Sequence, residues 1–191
     1  MALLKRAILL LEGAVAMTDT TAKAVVKRRK SRGPAAPSGT HPGAHPGARP
    51  FAYLDLYRAS PFDRIEVIKA GVPARSVKGF ITALHLDQQV MFDALNLKTA
   101  TVNKKAARDE ALSAEDSERV VGLAKLVGQL EAMIQESGTA QDFDAPGWLS
   151  RWLREPLPAL GGGKPLDLLD TMEGQALVSR ALAQIQSGAY A

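Results

Sequence analysis

From Ser60 onward the apolar residues recur at intervals of three and four, and that period limits this chain to one class of fold. Val77, Phe80, Ile81 and Leu84 stand at i, i+3, i+4 and i+7, the spacing of one buried helix face. Val120, Leu123, Ala124, Val127, Leu130 and Ile134 repeat the pattern over a longer segment. No segment alternates apolar and polar residues as a half-buried strand must. The spacing predicts an all-α chain.

The helix ends are also marked. Ser60 can N-cap a helix with Pro61 at its first position and Asp63 at its positive end. Ile65, Val67 and Ile68 are expected to form its apolar face, and Gly71 to stop it. A second helix should run from about Pro73 to His85. Asp87 can cap a third over 88–95, with Val90, Met91 and Leu95 pointing inward. Asn96 tolerates the left-handed conformation and breaks the pattern. Leu97 then leads into Lys98-Thr99-Ala100-Thr101-Val102-Asn103-Lys104-Lys105. A short helix, a tight turn and a polar, basic helix form the outline of a helix-turn-helix.

Ser113 and Asp116 make a capping-box pair ahead of the long helix. A loop is expected from 138 to 146. Trp148, Leu149, Trp152 and Leu153 mark one face of a short helix closed by Pro156. Gly161-Gly162-Gly163 separates it from a small helix opened by Pro165. Asp170 with Glu173 is the second expected capping box. The last helix should bury Leu177, Val178, Ala181, Leu182 and Ile185 and end at Gly188.

The net charge of +4 conceals an asymmetry. Residues 1–50 hold 9 of the 24 Lys and Arg and 2 of the 20 Asp and Glu, leaving 15 basic and 18 acidic residues after them. The excess of base therefore belongs to the N-terminal arm, drawn as residues 1–58. Within it, residues 17–50 read as disordered. Lys27-Arg28-Arg29-Lys30 is a solvated charge run able to add nonspecific phosphate contacts, and His41-Pro42-Gly43-Ala44 recurs as His45-Pro46-Gly47-Ala48. The two histidines have no further ligand nearby and read as linker.

Lys5-Arg6, Ala7-Ile8-Leu9-Leu10-Leu11 and Ala14-Val15-Ala16 have the order of a signal peptide. Glu12 and Gly13 interrupt the apolar stretch, however, and Met17 offers an alternative start. No apolar run is long enough to span a membrane. Cysteine is absent, which excludes disulfides and thiolate metal sites. A cytoplasmic protein with no membrane partner is expected.

Catalytic motifs are missing. There is no Gly-x-Ser-x-Gly and no His-Glu-x-x-His, and Gly161-Gly162-Gly163-Lys164-Pro165 lacks the hydroxyl and the preceding strand of a phosphate loop. His85 reads as a helix-end or core histidine, and Asp167 and Asp170 as cap and turn residues. No cofactor, metal site or catalytic residue is expected. The helix after Asn96 carries more chemistry. Lys98, Thr99 and Thr101 can meet phosphates or base edges, Asn103 has the amide geometry to read adenine, and Lys104, Lys105 and Arg108 can neutralise phosphates. The plainer reading is a solvated face that touches nothing.

The C-terminal region holds the most specific pattern. It runs Gly147-Trp148-Leu149-Ser150-Arg151-Trp152-Leu153-Arg154-Glu155-Pro156, then Pro158-Ala159-Leu160-Gly161-Gly162, then Pro165-Leu166-Asp167-Leu168-Leu169-Asp170-Thr171, and ends Gly188-Ala189-Tyr190-Ala191. In that order these marks resemble the toxin-binding domain of Xre/MbcA/ParS-type antitoxins. Pro61 through Gly71-Val72-Pro73-Ala74, and Leu112-Ser113-Ala114-Glu115-Asp116-Ser117-Glu118-Arg119, resemble the helix-turn-helix half of the same family. Together the likeness covers about residues 60–191.

The resemblance implies a type II antitoxin, with a helix-turn-helix domain over 59–130 and a small helical toxin-binding domain over 131–191. It implies a RES-domain, NAD-consuming toxin encoded in the same operon as partner. The antitoxin's C-terminal end would cover the toxin's active-site cleft, and its other half would bind operator DNA and repress the operon. Carried over, Arg180, Gln184, Gly188, Ala189, Tyr190 and Ala191 would face the toxin. A homo-oligomer or a toxin–antitoxin hetero-oligomer is expected. Two departures stand out: Lys98-Thr99-Ala100-Thr101 lies where relatives are often richer in arginine, and residues 136–147 are longer than the usual loop. The alternative is a stand-alone helix-turn-helix regulator with no toxin.

Overall fold

The computed structural model describes residues 52–138 and 143–187. The stretch 17–50 expected to be disordered, with its basic run and histidine repeat, lies outside them, as do the tail from Gly188 and part of the 138–146 loop. Within the described residues the order is α1 (Tyr53–Arg58), α2 (Pro61–Ala70), α3 (Ala74–Ala83), α4 (Gln88–Ala94), α5 (Thr99–Ala107), α6 (Ala114–Glu136), α7 (Ala145–Trp152) and α8 (Met172–Ser187). Two 3-10 turns, Pro158–Leu160 and Pro165–Leu168, link α7 to α8. The described residues contain no strand; one isolated bridge pairs Pro73 with Ala111.

Local capping sets most of these boundaries. Ser60 Oγ accepts from the Asp63 amide at 3.2 Å, and the Asp63 carboxylate accepts from the Ser60 amide at 3.3 Å, which closes a reciprocal box. Asp87 Oδ1 takes the amides of Gln89 and Val90. Gly71 ends α2 at φ 84, and Asn96 ends α4's turn at φ 51.

Two caps differ from expectation. Ser113 accepts from the Asp116 amide, but the Asp116 carboxylate turns to the buried guanidinium of Arg119 and does not return to the cap. A buried guanidinium demands a counter-ion more strongly than an exposed cap amide does. At the start of α8, Thr171 Oγ1 and not Asp170 accepts from the Gly174 amide, at 3.1 Å. The turn after Leu168 carries the chain one residue further before the helix begins.

The core is organised around α6. Most of its 23 residues are buried, including the polar Ser117, Arg119 and Gln129. A helix covered on nearly all sides is a central strut; α1, α2, α7 and α8 all pack on it. It runs unbroken past residue 130, so both halves of the chain share it. Two of its glycines allow neighbouring helices to approach closely. A Cβ on Gly128 would overlap the Tyr53 carbonyl of α1, and one on Gly122 would overlap the Gln175 amide of α8.

α1 corrects the arm's expected extent to residue 58. Tyr53 is 1% exposed and its ring lies 5.3 Å from that of Phe80, while Leu56 packs on the same core. Six residues are too few for a helical period to register in sequence, and the neighbouring Pro/Gly-rich stretch hides them.

Three apolar faces also differ from expectation. Val77, Phe80, Ile81 and Leu84 are fully buried as predicted, but α2 buries no residue. Ile65 and Val67 are exposed, and so is Phe62; of the expected face Ile68 alone packs on the core, half-buried, and Arg64 is half-buried beside it. In α4, Val90 is exposed and Phe92 takes the buried place beside Met91 and Leu95. In α8, Val178, Ala181, Leu182 and Ile185 complete a face at i, i+3, i+4 and i+7, which leaves Leu177 one position off and exposed.

Candidate functional site

Two exposed surfaces collect the residues singled out in the sequence. The first is the α4–turn–α5 unit. Its turn is held by the Leu97 amide donating to the Phe92 carbonyl at 2.7 Å. Met91, Phe92, Leu95, Leu97, Val102 and Ala106 seat both helices on the core, and α3 packs against α5. Burying Val102 and Ala106 turns the polar face of α5 outward. Lys98, Asn103, Lys104 and Arg108 are exposed there, with Thr99 and Thr101 half-buried.

Neighbouring helices hold part of this face. Thr99 Oγ1 donates to Gln89 Oε1 at 2.9 Å, which ties the start of α5 to α4. Asn103 Oδ1 accepts from Lys78 Nζ of α3 at 3.0 Å. Nothing local to Gln89 or Lys78 in the sequence shows that it will stand beside α5. Lys105 is directed elsewhere: its ammonium donates to the Ala111 carbonyl at 2.8 Å. Arg108 lies past the helix end, 3.9 Å from Glu110. Arg75 donates to the Ala106 carbonyl and pairs with Asp109.

The second surface is the outer side of α8. The inner side is clamped to α6 by three side-chain bonds. Gln129 Nε2 donates to the Ser179 carbonyl at 3.0 Å and Ser179 Oγ to Gln129 Oε1 at 2.7 Å, while Gln175 Nε2 reaches the Arg119 carbonyl at 3.0 Å. Leu177, Arg180 and Gln184 are exposed at i, i+3 and i+7, so they share one stripe. Arg180 lies 3.5 Å from Glu173, both at the surface. The stripe points toward residue 188; Gly188, Ala189, Tyr190 and Ala191 themselves lie outside the described residues. Leu177 had been assigned to the core, so its place on this stripe is visible only in the fold.

The remaining candidates have structural surroundings. His85 ends α3 at φ 53, exposed, 3.7 Å from the Asp144 carboxylate that caps α7. Asp167 and Asp170 are exposed in the turns before α8. Among the described residues no helix is long and apolar enough to cross a membrane.

Known proteins match both halves. An "antitoxin Xre-like helix-turn-helix domain" matches residues 63–125, and an "antitoxin Xre/MbcA/ParS C-terminal toxin-binding domain" matches 141–188. The chain is 76% identical over 141 residues to a Prs ADP-ribosylating antitoxin of Sphingobium sp. (strain YBL2), an alignment spanning 74% of this chain and 89% of that relative. The chain belongs to the Xre/MbcA/ParS-type antitoxins. A second relative, an antitoxin Xre of Pseudomonas putida (strain KT2440), is 27% identical over 111 residues, covering 58% of this chain and 60% of its own. The antitoxin thus pairs a helix-turn-helix domain with a toxin-binding domain, and α6 begins in the first and continues toward the second.

Proposed function

We propose that this antitoxin neutralises a RES-domain, NAD-consuming toxin through α8 and the tail, and represses its own operon through α5. The observation that carries the first part is the outer stripe of α8. Its inner side is fastened to α6, so Leu177, Arg180 and Gln184 are presented on a rigid support that leads into Gly188-Ala189-Tyr190-Ala191. Arginine is among the residue types enriched at protein interfaces, and Arg180 stands exposed on this stripe. ADP-ribosylation draws on NAD, so the wording of the Sphingobium relative's name agrees with an NAD-consuming toxin. The antitoxin itself carries out no reaction in this reading. It acts in the cytoplasm, as a homo-oligomer or in a hetero-oligomer with its toxin. The DNA-binding half occupies 59–130 and the toxin-binding half 131–191.

The test is deletion of residues 188–191. The shortened protein should fold and bind DNA but fail to stop NAD loss when mixed with the neighbouring gene's product. NAD consumption and complex formation are measured together. Full inhibition by the shortened protein at equal binding would remove the tail from the mechanism.

A further inference from the structure

A cleft of about 510 Å³ opens where α2, α6 and α8 meet. Arg64 of α2, Lys125 of α6 and Arg180 of α8 line it, one from each of three helices, and no Asp or Glu lines it. Its volume is in the range of small-molecule sites. Tyr57 and Met172 line it too, each with substantial exposed apolar surface, and add a wall able to take a flat ring.

The cations are poorly compensated. Arg64 directs Nη1 to the carbonyls of Leu56, Tyr57 and Ala59 at the end of α1, and among the described residues no carboxylate pairs with its guanidinium. Among the described residues Arg180 meets only the exposed Glu173, at 3.5 Å. Lys125 is half-buried, and among the described residues no hydrogen bond or ion pair engages its ammonium. Burial and the nearby Arg64 charge both hold the Lys125 pKa below its ordinary value. A half-buried ammonium facing a like charge with no partner is a standing cost to the fold. An anion in the cleft would remove it.

We propose that this cleft is a binding site for a small organic diphosphate of the nucleoside-diphosphate class. A single carboxylate or phosphate would satisfy one wall. Two guanidinium groups and an ammonium on separate helices suit charge spread over linked phosphates, with Arg180 able to offer a planar fork and Arg64 the nitrogens that do not serve α1. The Tyr57–Met172 wall then takes the ring. The site is separate from the proposed toxin contact except at Arg180, and it is tested without toxin or DNA.

ADP and inorganic pyrophosphate are titrated into the full-length protein by calorimetry at constant ionic strength. Both should bind saturably, ADP the more tightly. Lys125→Met and Arg180→Gln should each weaken binding about tenfold, as loss of a charge-assisted contact does. Circular dichroism and thermal melting confirm that each variant is folded. Lys164→Gln, in the glycine-rich turn, should bind ADP like the parent. Retained affinity in folded Lys125→Met overturns the proposal, as does loss of affinity in Lys164→Gln. Saturation by an acidic peptide but not by ADP or pyrophosphate overturns it as well, and would make the cleft a protein contact.

Discussion

Lys125 shows how a single residue can set stability against function. Its charged form is penalised by burial first and by the Arg64 charge second, so its pKa lies below 10.5 in the folded chain. Between that lowered pKa and 10.5 the unfolded chain holds more protons than the folded one. Stability therefore rises with pH across that window, and the whole penalty applies below it. We expect Lys125→Met to resist urea at pH 7 at least as well as the parent, and to lose the parent's gain in midpoint as the pH approaches about 10.5. Urea titrations at the two pH values check both statements. A clear loss of stability at pH 7 would mean that the ammonium is satisfied. The sequence gives no sign of this, because Lys125 sits between the apolar Ala124 and Leu126 like any lysine at a helix edge.

Among the elements, α1 is only six residues long yet packs on the central helix α6 and adds a buried tyrosine to the core. It lies across α6 at Gly128, where any side chain would overlap the Tyr53 carbonyl. Tyr53 fills the space against Phe80. Tyr53→Ala should cost about 3–5 kcal/mol, the range for emptying a fully buried aromatic site. A chain beginning at Ala52 should keep the parent's helical spectrum and melting temperature, whereas one beginning at Ser60 should melt markedly lower. Equal melting of the two shortened chains would show that α1 contributes nothing to the core. α2 shows the opposite imbalance. Its cap is complete, yet Phe62, Ile65 and Val67 remain at the surface. A reciprocal capping box makes a helix start without saying which face will be covered.

On the scale of the whole molecule, α6 begins in the helix-turn-helix domain and runs toward the toxin-binding domain, and the DNA and toxin roles proposed for the two ends should be separable by mutation. Lys104→Ala should weaken binding to all DNA sequences and lower the salt dependence by about one unit, if that ammonium neutralises one phosphate. Asn103→Ala should instead reduce discrimination between operator and other DNA by about 1–3 kcal/mol, if its amide makes a bidentate base contact. Lys78 Nζ donates to the Oδ1 of that amide, so reading adenine requires the 3.0 Å contact to open or to be shared. Lys105→Ala should act mainly on the Ala111 turn and less on the salt slope, since its ammonium is already bonded. Gel shifts over a salt series measure all three. Each variant should neutralise toxin like the parent, and a parallel loss would show that the two ends are coupled through α6.

What the residues determined by themselves is local. Val77, Phe80, Ile81 and Leu84 specify a helix and its buried side from their own spacing, and all four are covered in the fold. Ser60, Asp87 and Ser113 mark helix starts because a cap needs only the next three amides. The order of Pro, Gly and Trp marks after Gly147 was enough to suggest the family. Tertiary structure alone decided what depends on a second element arriving. It buried Phe92 in place of Val90, exposed Leu177, and recruited Tyr53 to the core. It turned Lys105 onto Ala111 and Lys78 onto Asn103. It also gathered Arg64, Lys125 and Arg180, one from each of three helices, around one cleft. A side chain's nearest neighbours in sequence set its backbone, but its burial and its electrostatic surroundings are set by residues far along the chain.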